Sequence, residues 1–414
     1  MNIKGDNYQS NVTNPSRSLE RRAGGEVFLA LWHIIRRELR AFGKRPIFLM
    51  IMLVAPLGFL WMFASLMQAG LPTKLPAALV DEDNTHVTRQ LTRILGTMEE
   101  TRFVLRAQSF TEARQAMQRG EIYAIFHIPK GTTEAALTQR QPVIAFYTND
   151  SYYIAASLLM KDMRKLSELA GLAITRETMR ARGFTDDQIM GTLQPIVVES
   201  HPLGNPHLNY SVVLSNLLVP GLLMLVIMLT TSYAFGIEWK RGRQRKLYNM
   251  GGGRMEIIIL GKLLPQTVLY TIIFWLIDLI FYSYLQFPCA CGIPRMMLWG
   301  FLAVLASQGF GLLLFEAFPS QLRMAMSACS LLGVMQFSLA GFSFPVSAMD
   351  APFQWLSNIF PLHHYFLIYV NQALNGYNIS YVWLNVAALI GFFLLPHLFS
   401  YRLKDAFQNK EYKA

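Results

Sequence analysis

The stretch Glu238 to Lys262, EWKRGRQRKLYNMGGGRMEIIILGK, surrounds a triple glycine with Lys240, Arg241, Arg243, Arg245, Lys246 and Arg254. Such material could cradle a phosphate, lie along a nucleic acid or act as a targeting signal. A phosphate-binding loop needs G-x-x-x-x-G-K-[ST], in which backbone amides and the lysine surround the phosphates. Here Leu263 follows Gly261 and Lys262, and no glycine stands five places before Gly261, so the pattern fails. Basic residues also serve against nucleic-acid phosphates, but no nucleic-acid-binding fold accompanies them and apolar runs flank them on both sides. Two readings stay open: a charge anchor that fixes membrane orientation, and a docking loop for another protein.

The other reactive side chains are scattered. Asp278 lies well inside FWLIDLIFYSY, where a charge costs at least about 2.5 kcal/mol on insertion scales and faces protein or water. A structural hydrogen bond, or a place in a substrate path or gate, both fit it. Glu316, in LLLFEAFPS, is expected to snorkel or to pair near the end of a span. His363 and His364 are adjacent and so do not share a helix face, and no carboxylate–histidine spacing supports a metal or acid–base site. They are read as interfacial packing. Cys289 and Cys291 form a C-x-C too tight for an easy bridge or a zinc knuckle, and Cys329 stands alone; all three are read as structural. The 21 methionines suit a variable hydrophobic cargo and lipid-facing packing equally.

The elements that must position these residues are membrane helices. Of the 414 residues 53% are hydrophobic and only 15% charged, against about 25% charged in a typical globular chain. The net charge of +11 matters less than where the lysines and arginines fall. Residues 1–25 are polar and expected to be a disordered tail. The first apolar run is too long for a signal peptide and lacks a small-residue cleavage site, so the expectation is insertion rather than secretion. Glu26 to Ala41 is periodic, with Val27, Phe28, Leu31, Ile34, Ile35 and Leu39 on one face and Arg36, Arg37 and Arg40 on the other. That pattern predicts an interfacial amphipathic helix over 26–45. Residues 46–70 hold a first span, with Ile47 to Met67 long enough for about 30 Å of hydrocarbon.

Residues 71–209 read as a soluble domain, α/β or α+β, with strand-like LPAALVD, IYAIFHIP and QPVIAFYTND alternating with polar helices such as FTEARQAMQRG. Over 210–405 five further spans follow, near Tyr210–Ile237, Ile257–Leu285, Met296–Leu314, Met324–Phe342 and Tyr381–Phe399. Between the last two, a proline-broken apolar segment, 343–376, predicts a re-entrant or interfacial hairpin. Residues 406–414 form a tail. The fold expected is therefore membrane all-α, with six transmembrane helices, the interfacial helix and one inserted domain. The basic clusters before the first span, after the second and after the sixth (Arg402, Lys404, Lys410, Lys413) fall on one side. The positive-inside rule makes that side cytoplasmic, puts both termini there and turns the inserted domain outward.

The loop resembles that of the ABC type-2 exporter permeases, which follows their second span in the form E-[KR]-E-x-G-T-x-x-x-L-x-x-x-P-x-x-x-x-E-x-x-x-G-K. Glu238, Gly242, Leu247, Glu256, Gly261 and Lys262 occupy matching places, while Lys240, Arg243 and Gly251 depart from it. A second segment, Gly341 to Phe366, is similar to the family's hairpin after the fifth span through Gly341, Pro345, Met349, Pro352, Trp355, Pro361 and His364. The resemblance covers about 26–405. It implies a bacterial inner-membrane permease subunit without an ATPase site, paired with separate ATPase subunits that bind ATP. It also implies a second permease, identical or closely related. Loop 238–256 and the amphipathic helix would seat against the ATPases. Relatives with large extracytoplasmic domains often add a periplasmic adaptor and an outer-membrane channel.

Export of a hydrophobic or amphipathic molecule, a drug or lipid for example, is thus the leading expectation. A lipid-modifying membrane enzyme would need a nucleophile–base constellation that the sequence lacks. A ligand sensor would need a cytoplasmic output domain, and only short loops are available.

Overall fold

The computed structural model describes residues 15–44, 46–67, 70–138, 140, 143–185, 187–189, 204–205 and 209–409. Residues 190–203, within the segment expected to be the inserted domain, the first fourteen residues, Lys410 and Lys413 lie outside them. The chain divides into two compact units, Met1–Gln68 with Pro202–Ala414, and Ala69–His201.

The first unit is helical. Among the described residues six helices are long and apolar enough to cross a membrane: α2 (Pro46–Leu66), α7 (Tyr210–Lys240), α9 (Met255–Leu279, continued by a π-turn to Tyr284), α10 (Ile293–Ala317), α11 (Leu322–Leu339) and α14 (Trp383–Asn409). They are joined by α1 (Pro15–Gly43), the short α8 (Gln244–Met250), α12 (Ala351–Ser357) and α13 (Pro361–Tyr369). At 1.5 Å per residue the 31 residues of α7 reach about 46 Å, well past about 30 Å of hydrocarbon. The helix is therefore longer than the apolar layer is thick, and Glu238 and Lys240 lie at its C-terminal end.

Central packing uses small residues, as helix contacts in lipid require. A Cβ on Gly309 would lie 2.1 Å from Phe392 O of α14, and one on Gly311 2.7 Å from Met228 O of α7. Bare glycine on two faces of α10 thus lets it pass between both neighbours at backbone contact. By contrast α2 buries one stripe only, Phe48, Met52, Pro56 and Leu60, at four-residue spacing, and leaves Ile47, Met50, Val54 and Trp61 exposed.

Three boundaries differ from the sequence expectation. Helix α1 begins at Pro15 rather than near Glu26, inside the segment expected to be a disordered tail. Helix α14 runs on to Asn409 because Leu403, Ala406 and Phe407 are buried, so 406–409 are packed helix rather than tail. The proline-broken segment resolves into a 3-10 turn (Val346–Ala348), α12 and α13. Prolines open both helices, the one place where a missing N–H costs nothing.

The second unit is a four-stranded sheet in the order β2-β1-β3-β4, built from β1 (Leu75–Asp81), β2 (Thr101–Ala107), β3 (Ala124–Ile128) and β4 (Ala145–Thr148). The first three strands are parallel and β4 is antiparallel to β3. Helices α3 (His86–Leu95) and α4 (Phe110–Gln118) make the crossovers; α5 (Thr132–Leu137) and α6 (Tyr153–Ala181) follow β3 and β4. Ala78, Val80 and Ile125 pack on Ala113 and Ala116 of α4. Leu79, Phe126 and Ile128 pack on Leu95, Met163 and Leu166. Both faces of β1 are covered, which explains its near-continuous apolar run.

Candidate functional site

The basic stretch folds as a helix end, a turn, a short helix and a restart. Helix α7 ends at Lys240; Arg243 N donates to Glu238 O (2.8 Å) and Gly242 takes φ +60°. That left-handed conformation is open to glycine at little cost. Leu247 of α8 is fully buried with Phe235, Trp239, Ile258, Phe315 and Phe407. Tyr248 accepts a hydrogen bond from Gln408 Nε2 of α14 (2.9 Å). Arg241, Gly242, Arg243, Arg245, Lys246 and Asn249 stay exposed. A helix of seven residues is too short to hold itself in water, so its position is fixed by Leu247 and the core beneath it.

Below the turn lies a buried ion cluster. Lys262 of α9 has no exposed surface and its Nζ is 3.0 Å from Glu38 Oε1 of α1 and 3.0 Å from Glu238 Oε1 of α7. The Arg37 guanidinium of α1 donates to Glu238 Oε2 and sits 3.9 Å from Glu38 Oε1. Two cations thus meet two carboxylates, which is the condition under which ions tolerate burial. Lys262 also stands 5.7 Å over the Phe235 ring, a cation–π distance. Close approach of α1 to α9 is set by Gly261, whose Cβ would come within 2.7 Å of Ile34 Cγ2. The cluster ties three helices together where the exposed loop begins.

The six loop residues singled out by the sequence therefore separate into two groups. Glu238, Leu247, Gly261 and Lys262 are buried inside the protein, and only Gly242 and Glu256 are exposed. Sequence reasoning missed Arg37 and Glu38, which it assigned to the polar face of an amphipathic helix or left unremarked. Their contacts span 201 and 224 residues and leave no local signal.

In the hairpin, α13 is buried and α12 is not: Phe353 and Trp355 are exposed, while Pro361 to Phe366 are buried. Gly341 has φ +93° and its Cβ would lie 3.1 Å from Val346 Cγ2, Pro345 precedes the 3-10 turn, and Met349 packs beside Phe360 and Cys329. His364 Nε2 donates to Asn358 O (2.9 Å) and Nδ1 lies 2.9 Å from Asn385 Oδ1 of α14. His363 Nδ1 donates to Ala340 O (3.0 Å). Both rings pin the hairpin to its neighbours. Among the described residues no group of three or more His, Cys, Asp or Glu is placed to hold a metal ion.

Within the spans, Asp278 is buried two residues before the π-turn Ile280–Tyr284, and its Oδ2 has no hydrogen-bond partner. Beside it Tyr282 donates to Asn216 Oδ1 of α7 (3.0 Å) and Tyr369 to Val212 O (3.0 Å). Glu316 does not snorkel: it is 1% exposed and neither carboxyl oxygen has a hydrogen-bond partner. Gln266 and Gln336 are equally buried with both side-chain ends unpaired.

Residues 46–402 match the family described as ABC-2 family transporter protein. No curated protein matches the chain.

Proposed function

The chain belongs to the ABC-2 transporter family, and from that premise we propose that it is the export permease of an ATP-driven ABC transporter, moving a hydrophobic or amphipathic molecule outward. Membership makes it a multi-pass membrane subunit that works with an ABC ATPase. The observation that carries the finer reading is the buried cluster Arg37–Glu38–Glu238–Lys262. A force applied to the exposed face of α8 passes through Leu247 and this cluster into α1, α7 and α9 together. Such a rigid junction suits an element that receives a partner's stroke. ATP itself is bound by the partner.

In this reading α8 and both termini lie in the cytoplasm of a bacterial inner membrane, where the basic residues belong. Helix α1, with Phe28, Leu29, Trp32 and Leu39 exposed, lies in the interface. Trp355, 78% exposed on α12, anchors the hairpin at the opposite interface. The sheet unit is extracytoplasmic and meets a periplasmic adaptor leading to an outer-membrane channel. A second permease covers the exposed Val54 and Trp61 of α2. The substrate path runs past the unpaired Gln266, Gln336 and Asp278.

The ATPase contact is formed by the outward residues Arg243, Arg245, Asn249 and Glu256, not by Glu238 or Lys262. Co-purification of the ATPase with the full chain tests this. Arg245→Glu combined with Glu256→Arg reduces the bound ATPase about tenfold or more, because reversed charges at an interface oppose docking. Retention of the ATPase at the wild-type level by a folded double variant refutes the contact.

A further inference from the structure

Two cavities of the first unit meet at Arg241. The first, of about 480 Å³, lies between α2, α7 and α11 and is lined by Pro46, Ile47, Ile51, Leu229, Tyr233 and Met326 before reaching Arg241. From Arg241 to Leu229 it runs twelve residues back along α7, about 18 Å at 1.5 Å per residue. Its wall is apolar apart from Arg241 at one end, and hydroxyls on Thr230 and Tyr233. Thr230 is already committed, its Oγ1 lying 2.7 Å from Tyr270 OH.

The second cavity, of about 580 Å³, lies between α1 and the turn from α7 to α8. Arg36, Arg40, Lys44, Arg241, Arg243 and Lys246 line it. Among the described residues none of these six forms an ion pair. The carboxylates on the same wall, Glu38 and Glu238, are held by Lys262 and Arg37. Arg37 Nη1, also on this wall, is buried and makes no hydrogen bond. An apolar slot therefore opens at one end onto a cavity of uncompensated positive charge.

We propose that this composite site holds an anionic phospholipid, its phosphate between Arg241 and Lys44 and one acyl chain in the slot along α7. An acidic segment of a partner protein would satisfy the cations but leave the slot empty. A neutral lipid would fill the slot but leave the cations bare. A phospholipid with net negative charge answers both, and the exposed apolar residues Ile47 and Ile51 at the mouth let it enter sideways from the leaflet. Each Lys or Arg near an anionic surface is worth about 1 kcal/mol, which is about a fivefold change in retention.

The test is native mass spectrometry on the detergent-purified full-length chain, titrated with phosphatidylglycerol or with phosphatidylethanolamine of identical acyl chains. Wild-type protein retains phosphatidylglycerol at a concentration about tenfold lower. Lys44→Gln with Arg241→Gln removes that preference, and Ile51→Trp, which fills the slot, weakens retention of both lipids. Lys404→Gln, a matched charge loss on α14 that lines neither cavity, leaves the preference intact. Soluble glycerol phosphate does not compete. The proposal is overturned if the wild type shows no headgroup preference, as an acidic-protein occupant would produce. It is equally overturned if the preference survives the double substitution, or if glycerol phosphate displaces the lipid, which would make this a site for free phosphate. The wild-type comparison stands even if a variant fails to fold.

Discussion

Replacing Lys262 with methionine keeps the length of the side chain and removes only its charge. The ammonium is fully buried and lies 3.0 Å from both Glu38 and Glu238. Without it two carboxylates, 5% and 2% exposed, share the single cation Arg37. Breaking a buried pair by removing one partner costs about 3–5 kcal/mol, because an uncompensated charge stays behind. At about 2–4 °C per kcal/mol for a unit of this size, the unfolding midpoint falls by roughly 6–20 °C. Trp239 reports the event directly, since it is buried with its ring 4.4 Å from that of Phe407. The assay is thermal unfolding of the detergent-solubilised chain followed by tryptophan fluorescence. The double variant Glu38→Gln with Lys262→Met leaves one carboxylate for Arg37 and recovers most of the loss. A Lys262→Met midpoint equal to wild type, or a double variant no better than the single, refutes the claim that the cluster clamps α1, α7 and α9.

Gly309→Leu drives a side chain into the Phe392 carbonyl and forces α10 from α14; folded yield in detergent collapses, whereas Gly391→Ala, with open space at that position, is tolerated. In the sheet unit, burial and then the hydrogen bond with Glu100 push the Asp162 carboxyl up to about 6, against the Thr101 hydroxyl bond that favours the anion. Stability from the protonated acid is complete below its ordinary 3.8 and is lost as pH rises through about 6. Burial also raises Glu100, but its hydrogen bonds from Asp162 and Lys161 outweigh this and hold it below 4.5, so its contribution runs the opposite way and is lost on acidification. The protection of β2 amides relative to their intrinsic exchange rate therefore falls between about pH 4 and 6, and Asp162→Asn flattens that dependence. His364→Ala frees both hairpin contacts and lowers the unfolding midpoint by several degrees; an unchanged midpoint means that the imidazole does not pin α13.

The membrane helices were legible because apolar runs of about eighteen or more residues admit few other fates. β1 coincides with LPAALVD, and β3 and β4 fall inside the expected strand-like runs. β2, TRFVLRA, escaped notice because its burial alternates and two arginines break its apolar pattern, as suits a strand at the sheet edge. The candidate site was half legible. Its position and glycines could be read from spacing, but the direction in which Glu238 points could not. A glutamate ending an apolar run invites the reading that it faces a partner; here its partners are Arg37 and Lys262. Glu38 carried no signal, since one acid among arginines on a helix face reads as ordinary solvation. Glu316 misled for a related reason: nearness to a span end suggested snorkelling, but the packing of α10 against α14 buries it.

The central claim is that the ATPase presses on the exposed face of α8 and the clamp beneath it carries the stroke. Photo-crosslinking in cells, with the reactive group placed at Arg245 and, separately, at Tyr284 on the π-turn after α9, tests that claim most directly. The account predicts an adduct with an ABC ATPase from position 245, altered when ATP hydrolysis is trapped, and none from position 284, although Tyr284 is 81% exposed. No ATPase adduct from 245, or equal adducts from both positions, contradicts it.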